Sequence, residues 1–215
     1  MNVGILGTGV VGTALGGKLV QLGHSVMIGG RESTNEKGQA WAESNNAHYG
    51  TFAETAAFGE LVINATNGNA SLEALNMAGA DALAGKTLID LANQLDFSTG
   101  RGISHASDQN CLAEQIQQAF PRTNVVKSLN TMNFNIMINP SILAGDHLVF
   151  LSGDNAEAKA EVRGLLHEFG WKDHNIMDLG GIVTARGPEM IMPLWLSLWG
   201  VIGNTPFNVG VVKAS

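Results

Sequence analysis

Six residues constrain this chain more than any others: Gly7-Thr8-Gly9-Val10-Val11-Gly12, set between an apolar run, Asn2 to Leu6, and a helix-period segment, Val11 to Leu22. A bare G-x-G-x-x-G is a weak signal, but a strand before it and a helix after it turn the pattern into a strand-turn-helix unit. The first glycine permits the tight turn, the second lets backbone approach a pyrophosphate, and the third lets helix and strand pack closely. A helix that starts there offers free N–H groups and the positive end of its dipole to an anion. Val11, Leu15, Leu19 and Leu22 share one helical face, and Gly23 sits where a helix-ending glycine belongs. The bland alternative is a glycine turn in an inert α/β protein.

Apolar runs of strand length recur at Ser25 to Gly29, Leu61 to Ala65, Thr87 to Leu91, Asn124 to Ser128 and His147 to Leu151. Helix-period segments alternate with them at Leu72 to Met77, Cys111 to Phe120 and Ala156 to Phe169, the last two closed by Pro121 and Gly170. Runs that are apolar throughout predict strands covered on both faces. The expectation is an α/β protein, a Rossmann-type doubly wound, mostly parallel sheet with a short C-terminal helical extension. Residues 1–180 read as one dinucleotide-binding domain and 181–215 as a helix and tail, packed on that domain or in a dimer interface. About thirty-five residues after Gly180 leave no room for a large helical substrate domain.

Composition excludes several classes. With 12 Lys and Arg against 19 Asp and Glu the net charge is -7, which repels nucleic acid and anionic membranes alike. Charged residues make up only 14% of the chain, so part of the surface is expected to be hidden in a homodimer. Met190 to Ile202, with Trp195 and Trp199 on one helical face, is the segment expected to meet the partner subunit. It falls short of the ~20 residues of a membrane span, and the N-terminus lacks the basic region of a secretion signal. Cys111 is the only cysteine, which suits a reducing, cytoplasmic setting. No histidine or cysteine spacing fits a metal site. Gly85-Lys86-Thr87 imitates the end of a P-loop but precedes a strand, where a P-loop precedes a helix.

The tip of the second strand separates the two nicotinamide cofactors. A carboxylate there would bind the adenosine ribose hydroxyls and repel a 2′-phosphate. The chain instead reads Gly29-Gly30-Arg31-Glu32-Ser33, and Arg31 can fork onto a phosphate. Ser33, Thr34, Asn35 and Lys37 follow as further donors, and NADP is the expected cofactor. Asn64-Ala65-Thr66-Asn67 and Asp90-Leu91-Ala92-Asn93 end two later strands, where a doubly wound sheet opens its ligand crevice. Their polar side chains suit either a cofactor edge or ordinary turn chemistry.

Together with Lys127-Ser128-Leu129-Asn130-Thr131-Met132, Asn139-Pro140 and the tail Arg186-Gly187-Pro188-Glu189 with Pro193-Leu194, these motifs resemble the deazaflavin-dependent NADP oxidoreductase family. They are also similar to the cytosolic reductase domain of the six-transmembrane metalloreductases. The resemblance implies hydride transfer between NADPH and a second small molecule, coenzyme F420 or a flavin. It implies that Thr8, Gly9, Val10 and Val11 wrap the diphosphate and that Arg31 meets the 2′-phosphate; Gly7, Gly12, Gly30, Ser33 and Lys37 complete the expected cofactor-binding set. Thr66, Asn67 and Asn93 would make the strand-tip contacts, and Asn130, Thr131 and Met132 would line the second ring system. Gly30 departs from the family pattern, in which a serine precedes the arginine. Ring-to-ring hydride transfer needs no general acid or base, so no catalytic side chain is assigned. Lys127 lies in a predicted strand; its head either threads to the surface, in which case Lys127→Met should change the rate less than about tenfold, or acts on a carbonyl substrate. Two other readings stay open: a carbonyl or imine reductase with Lys127 or Asp90 in proton transfer, and an NADP(H)-binding redox sensor.

Overall fold

A computed structural model describes residues 1–98, 103–104, 110–212 and 214. The strands are β1 (Asn2–Leu6), β2 (Ser25–Gly30), β3 (His48–Thr51), β4 (Leu61–Asn64), β5 (Thr87–Asp90), β6 (Leu95–Asp96), β7 (Ile103–Ser104), β8 (Asn124–Ser128), β9 (Val149–Ser152) and β10 (Ile176–Asp178). The helices are α1 (Val10–Gln21), α2 (Glu36–Ser44), α3 (Phe52–Phe58), α4 (Ser71–Ala78), α5 (Ala80–Leu83), α6 (Leu112–Ala119), α7 (Phe134–Ile138), α8 (Ala156–Phe169), α9 (Arg186–Met190) and α10 (Met192–Ile202).

Eight strands form one sheet in the order β10-β9-β8-β5-β4-β1-β2-β3, and β6 pairs with β7 apart from it. Every neighbour in the large sheet is parallel except β9, which runs antiparallel to β8. The protein is a Rossmann-type doubly wound α/β fold. Leu15 and Leu19 of α1, Ile136 of α7 and Val162 and Leu166 of α8 join one buried layer with Ile5, Ile28 and Ile63. Phe52, Leu75, Leu112 and Ile116 join the other layer with Leu6, Val62 and Leu88. A layer on each side explains why β4 and β5 are buried along their whole length.

The additional elements lie where the hydrophobic pattern is weak. β3 and β10 are three- or four-residue edge strands, and α2 is a mostly polar helix started by Asn35, whose side chain accepts from the Gly38 N–H at 2.9 Å. For α3 a legible signal existed: Thr51 and Glu54 form a capping box, with Glu54 Oε2 accepting from the Thr51 N–H at 2.7 Å. Trp195 and Trp199, one helical turn apart in α10, flank one small cleft with Phe207; Trp195 is half-buried and stacks on Phe207 of the following tail at a 5.2 Å centroid separation, while Trp199 is 48% exposed. No helix among the described residues is long and apolar enough to cross a membrane.

Candidate dinucleotide and acceptor site

The turn from β1 into α1 builds a cleft of about 380 Å³ between the tips of β1, β2 and β4. Its three glycines do different work. Gly7 has φ +126°, and a Cβ there would stand 2.6 Å from the Ala65 carbonyl oxygen. A Cβ on Gly12 would stand 2.4 Å from the Gly7 carbonyl oxygen, so that glycine permits the helix to leave the turn so closely. A Cβ on Gly9 would meet nothing within 4 Å. Gly9 faces open space at the N-terminus of α1, which has no side-chain cap and no acidic residue in its first turn. That is the arrangement in which a helix start accepts an external anion.

Gly7, Thr8, Gly9, Gly30, Arg31, Thr66 and Asn67 all line this cleft. The Arg31 side chain is 57% exposed at the mouth, 3.6 Å from Glu73 of α4. Such an exposed pair is worth about 0–1 kcal/mol, so the guanidinium is free to turn to a stronger anion. Glu32, Asn35 and Phe52 also line the cleft, and the Tyr49 hydroxyl donates to the Glu32 carbonyl, fixing the loop beyond Arg31. Ser33 and Lys37 do not line it. The Ser33 carbonyl accepts from Gln39 Nε2 at 2.8 Å, and Lys37 is exposed on α2. Val10 is exposed at the start of α1, Gly12 is buried beneath the turn, and Val11 faces a second cavity.

That second cavity, about 240 Å³, shares Ala65, Thr66 and Asn67 with the first. Its walls bring together Asn93, Asn130 and Met132 with Leu91, Phe97, Met192 and Trp195. Leu129, at φ +63°, turns the chain after β8 so that Asn130 returns to the crevice. Asn93 and Asn130 brace each other: Asn93 Nδ2 donates to the Asn130 carbonyl and Asn130 Nδ2 to Asn93 Oδ1, both at 2.9 Å. Thr131 is buried beside them and does not line the cavity. Sequence reasoning missed Met192 and Trp195 as wall residues, because only the return of the C-terminal helix over the sheet brings them there.

Lys127 obeys neither sequence expectation. It is 1% exposed, threads away from both solvent and cavity, and sits in a buried cluster. Its Nζ lies 2.8 Å from Asp90 Oδ2 and 3.0 Å from Glu189 Oε1, and it also donates to the Ala92 carbonyl. Burial alone would depress the ammonium pKa, but Asp90 and Glu189 outweigh it and hold the group above its ordinary 10.5. Asp90 Oδ1 accepts from Asn64 Nδ2 at 2.8 Å, and Asn64 Oδ1 accepts from the Thr66 hydroxyl at 2.7 Å. On the far side, the two Glu189 oxygens accept the backbone N–H groups of Leu112 and Ala113 at 2.9 and 3.0 Å, capping α6. Cys111, at the foot of α6, is buried and its thiol is pushed up to about 12 chiefly by burial, so it is chemically quiet.

Sheet order, glycine turn and crevice define the class: a dinucleotide-binding α/β protein of Rossmann type. Residues 2–94 match the family described as NADP oxidoreductase, coenzyme F420-dependent. A solved structure from Arthrobacter sp. FB24, assigned provisionally as an F420-dependent NADP reductase, is 45% identical, with a TM-score of 0.91 over 98% of this chain and 99% of that one. This chain belongs to the F420-dependent NADP oxidoreductase family and is an NADP-dependent oxidoreductase. The metalloreductase STEAP3 of Rattus norvegicus is 31% identical over 93% of this chain, which spans 38% of that protein's length. An imine reductase from Myxococcus stipitatus, in complex with NAD+, has a TM-score of 0.65 at 16% identity, covering 94% of this chain and 63% of that one; it shares the fold.

Proposed function

We propose that this protein moves a hydride between NADPH and a deazaflavin or flavin ring, the two held side by side in the joined cavities. The observation that carries this reading is the junction at Thr66 and Asn67, where a glycine-walled anion cleft runs into a mostly apolar cavity. NADPH, when bound, would supply the hydride and leave as NADP+, and the reduced acceptor would keep the added negative charge or take a proton from solvent. The protein's part is then alignment and exclusion of water. In this reading Gly7, Thr8 and Gly9 hold the diphosphate, Arg31 the 2′-phosphate, and Asn93, Asn130 and Met132 the second ring. The indole N–H of Trp195 is buried with no acceptor among the described residues, and a ring carbonyl would supply one. No described residue lining the acceptor cavity has a titratable side chain, and Lys127 and Asp90, the proton donors of the carbonyl-reductase reading, are sealed beneath its wall.

The test is anaerobic oxidation of NADPH with riboflavin, FMN or a deazaflavin as acceptor. Saturable turnover is expected with at least one of the three. If none is reduced while a panel of ketones and imines is, the ring-to-ring reading is wrong.

We further propose a cytoplasmic homodimer with residues 1–180 as the nucleotide-binding unit. Leu194 and Trp199 of α10 are 55% and 48% exposed, and with Val201 and Ile202 they form an apolar face. Sedimentation at micromolar concentration should give twice the mass of the 22.6 kDa chain, and Leu194→Glu with Trp199→Glu should return a monomer. A monomeric unmutated protein would refute the dimer.

A further inference from the structure

One wall of the acceptor cavity is held in place by a buried attachment. Met192 and Trp195 reach the acceptor cavity from α10, which follows directly on the five-residue α9. That short helix is gripped from below at three places. Glu189 is 1% exposed and joins Lys127 of β8 to the N-terminus of α6. Arg186 forms a two-bonded pair with Glu114 of α6, at 2.6 and 2.7 Å, which holds the Glu114 carboxyl below the usual carboxylate range. The Pro188 carbonyl accepts from Asn130 Nδ2 at 3.0 Å.

None of these groups lines the anion cleft, whose walls come from β1, β2, β4, the loops after them, Phe52 of α3 and Ala74 of α4; the cluster connects to it through Asp90, Asn64 and the Thr66 hydroxyl. The attachment is therefore asymmetric: Glu189 sits three residues before Met192 on the acceptor-cavity wall, whereas it reaches the cofactor cleft only through Lys127, Asp90, Asn64 and Thr66 in turn. We propose that Glu189 is a positioning residue for the acceptor. Through Lys127 and the α6 N–H groups it sets where Met192 and Trp195 stand, and so governs acceptor binding independently of NADPH binding. This rests on the reading that the second cavity receives the hydride acceptor.

The carboxylate is suited to the task because one group accepts three charge-assisted or backbone bonds at once. Glutamine is the same size, but its amide must turn an NH₂ toward a donor, so at least one of the three contacts is lost. Aspartate keeps the charge and shortens the reach.

The experiment compares unmutated protein with Glu189→Gln, Glu189→Asp and Arg186→Met, the last being a partly exposed site that tolerates change better. Three quantities are read: NADPH affinity by titration, KM for the best of the riboflavin, FMN and deazaflavin probes, and amide exchange across residues 190–202. Glu189→Gln should leave NADPH affinity within about twofold, raise KM for the acceptor roughly tenfold to a hundredfold, and speed exchange in 190–202 by about tenfold while β1 to β5 stay protected. Glu189→Asp should recover part of the loss, and Arg186→Met should move the same quantities less. Unchanged exchange in 190–202 overturns the proposal. So does a loss of NADPH affinity matching the loss for acceptor, or an equal rise of exchange throughout the sheet. If no ring acceptor is turned over even by the unmutated protein, the proposed function has failed, and exchange with NADPH affinity still decides whether Glu189 holds the wall alone.

Discussion

Lys127→Met should cost about 3–5 kcal/mol of folding stability, the largest effect expected of any single substitution in this chain. Removing one partner of a buried ionic cluster leaves the others charged and dry, which is far costlier than losing a surface pair. Here methionine would leave Asp90 and Glu189 facing one another without the ammonium that lies 2.8 and 3.0 Å from them. For a protein of this size that corresponds to a fall of roughly 6–20 °C in Tm. Lys159→Met is the control: its pair with Asp178 spans 2.9 Å at the partly exposed edge, and the loss should stay within about 1 kcal/mol. Thermal melts of the two variants decide the matter, and a Lys127→Met melt within 2–3 °C of the unmutated protein, roughly 1 kcal/mol, would show the cluster to be inessential.

The same cluster fixes a sign for pH. The Lys127 pKa is raised in the folded state above its ordinary 10.5, so the folded protein binds that proton more tightly than the unfolded chain does. Its contribution is fully present below that value and is lost as pH rises through the folded pKa. Unmutated protein should therefore lose stability in the alkaline range above about 10.5, and Lys127→Met should lack that component.

Arg31→Asp should invert the cofactor preference. In the unmutated protein NADPH is expected to bind more tightly than NADH, since a charge-assisted contact to the 2′-phosphate is worth roughly 1.5–3 kcal/mol, about ten- to a hundredfold. Aspartate removes that contact and adds repulsion, while its carboxylate can accept from the free ribose hydroxyls of NADH. The geometry favours the exchange, because the side chain stands at the cleft mouth and gives up only its 3.6 Å pair with Glu73. Titration of both cofactors against both proteins measures it. Equal affinities in the unmutated protein would remove Arg31 as the selector.

How much was legible beforehand follows from the range over which each signal acts. Gly7, Gly9 and Gly12 were readable because their spacing lies within six residues, between the end of one strand and the first turn of the next helix, although Gly7 also makes room for the Ala65 carbonyl just beyond β4. The interior strands were readable because burial on both faces writes an unbroken apolar run. β3, β10 and α2 were not, since an edge strand or an exposed helix needs little apolar surface and leaves little pattern. The Thr51–Glu54 capping box is a local signal in this stretch, and it marks the start of α3.

The candidate site divides the same way. Arg31, Thr66, Asn67 and Asn93 could be placed at strand tips from the sequence, and strand tips converge in a doubly wound sheet, while Asn130 followed from the family resemblance. Lys127 could not be placed, because its meaning depends on register: Asn64 pairs with Asp90 and Asp90 with Lys127, one row across three parallel strands. Glu189, sixty-two residues further on, completes that row from a helix whose path no local pattern records. Helical spacing puts Trp195 and Trp199 on one face but does not tell that Trp195 stacks on Phe207 of the tail. The sequence by itself determined the fold class, the glycine turn and the arginine at the tip of β2, all legible from local chemistry and hydrophobic periodicity. The buried ionic cluster and the wall of the acceptor cavity were decided only by the tertiary structure, because charges and side chains far apart in the chain acquire their partners only when the sheet sets its register and the last helices close over it.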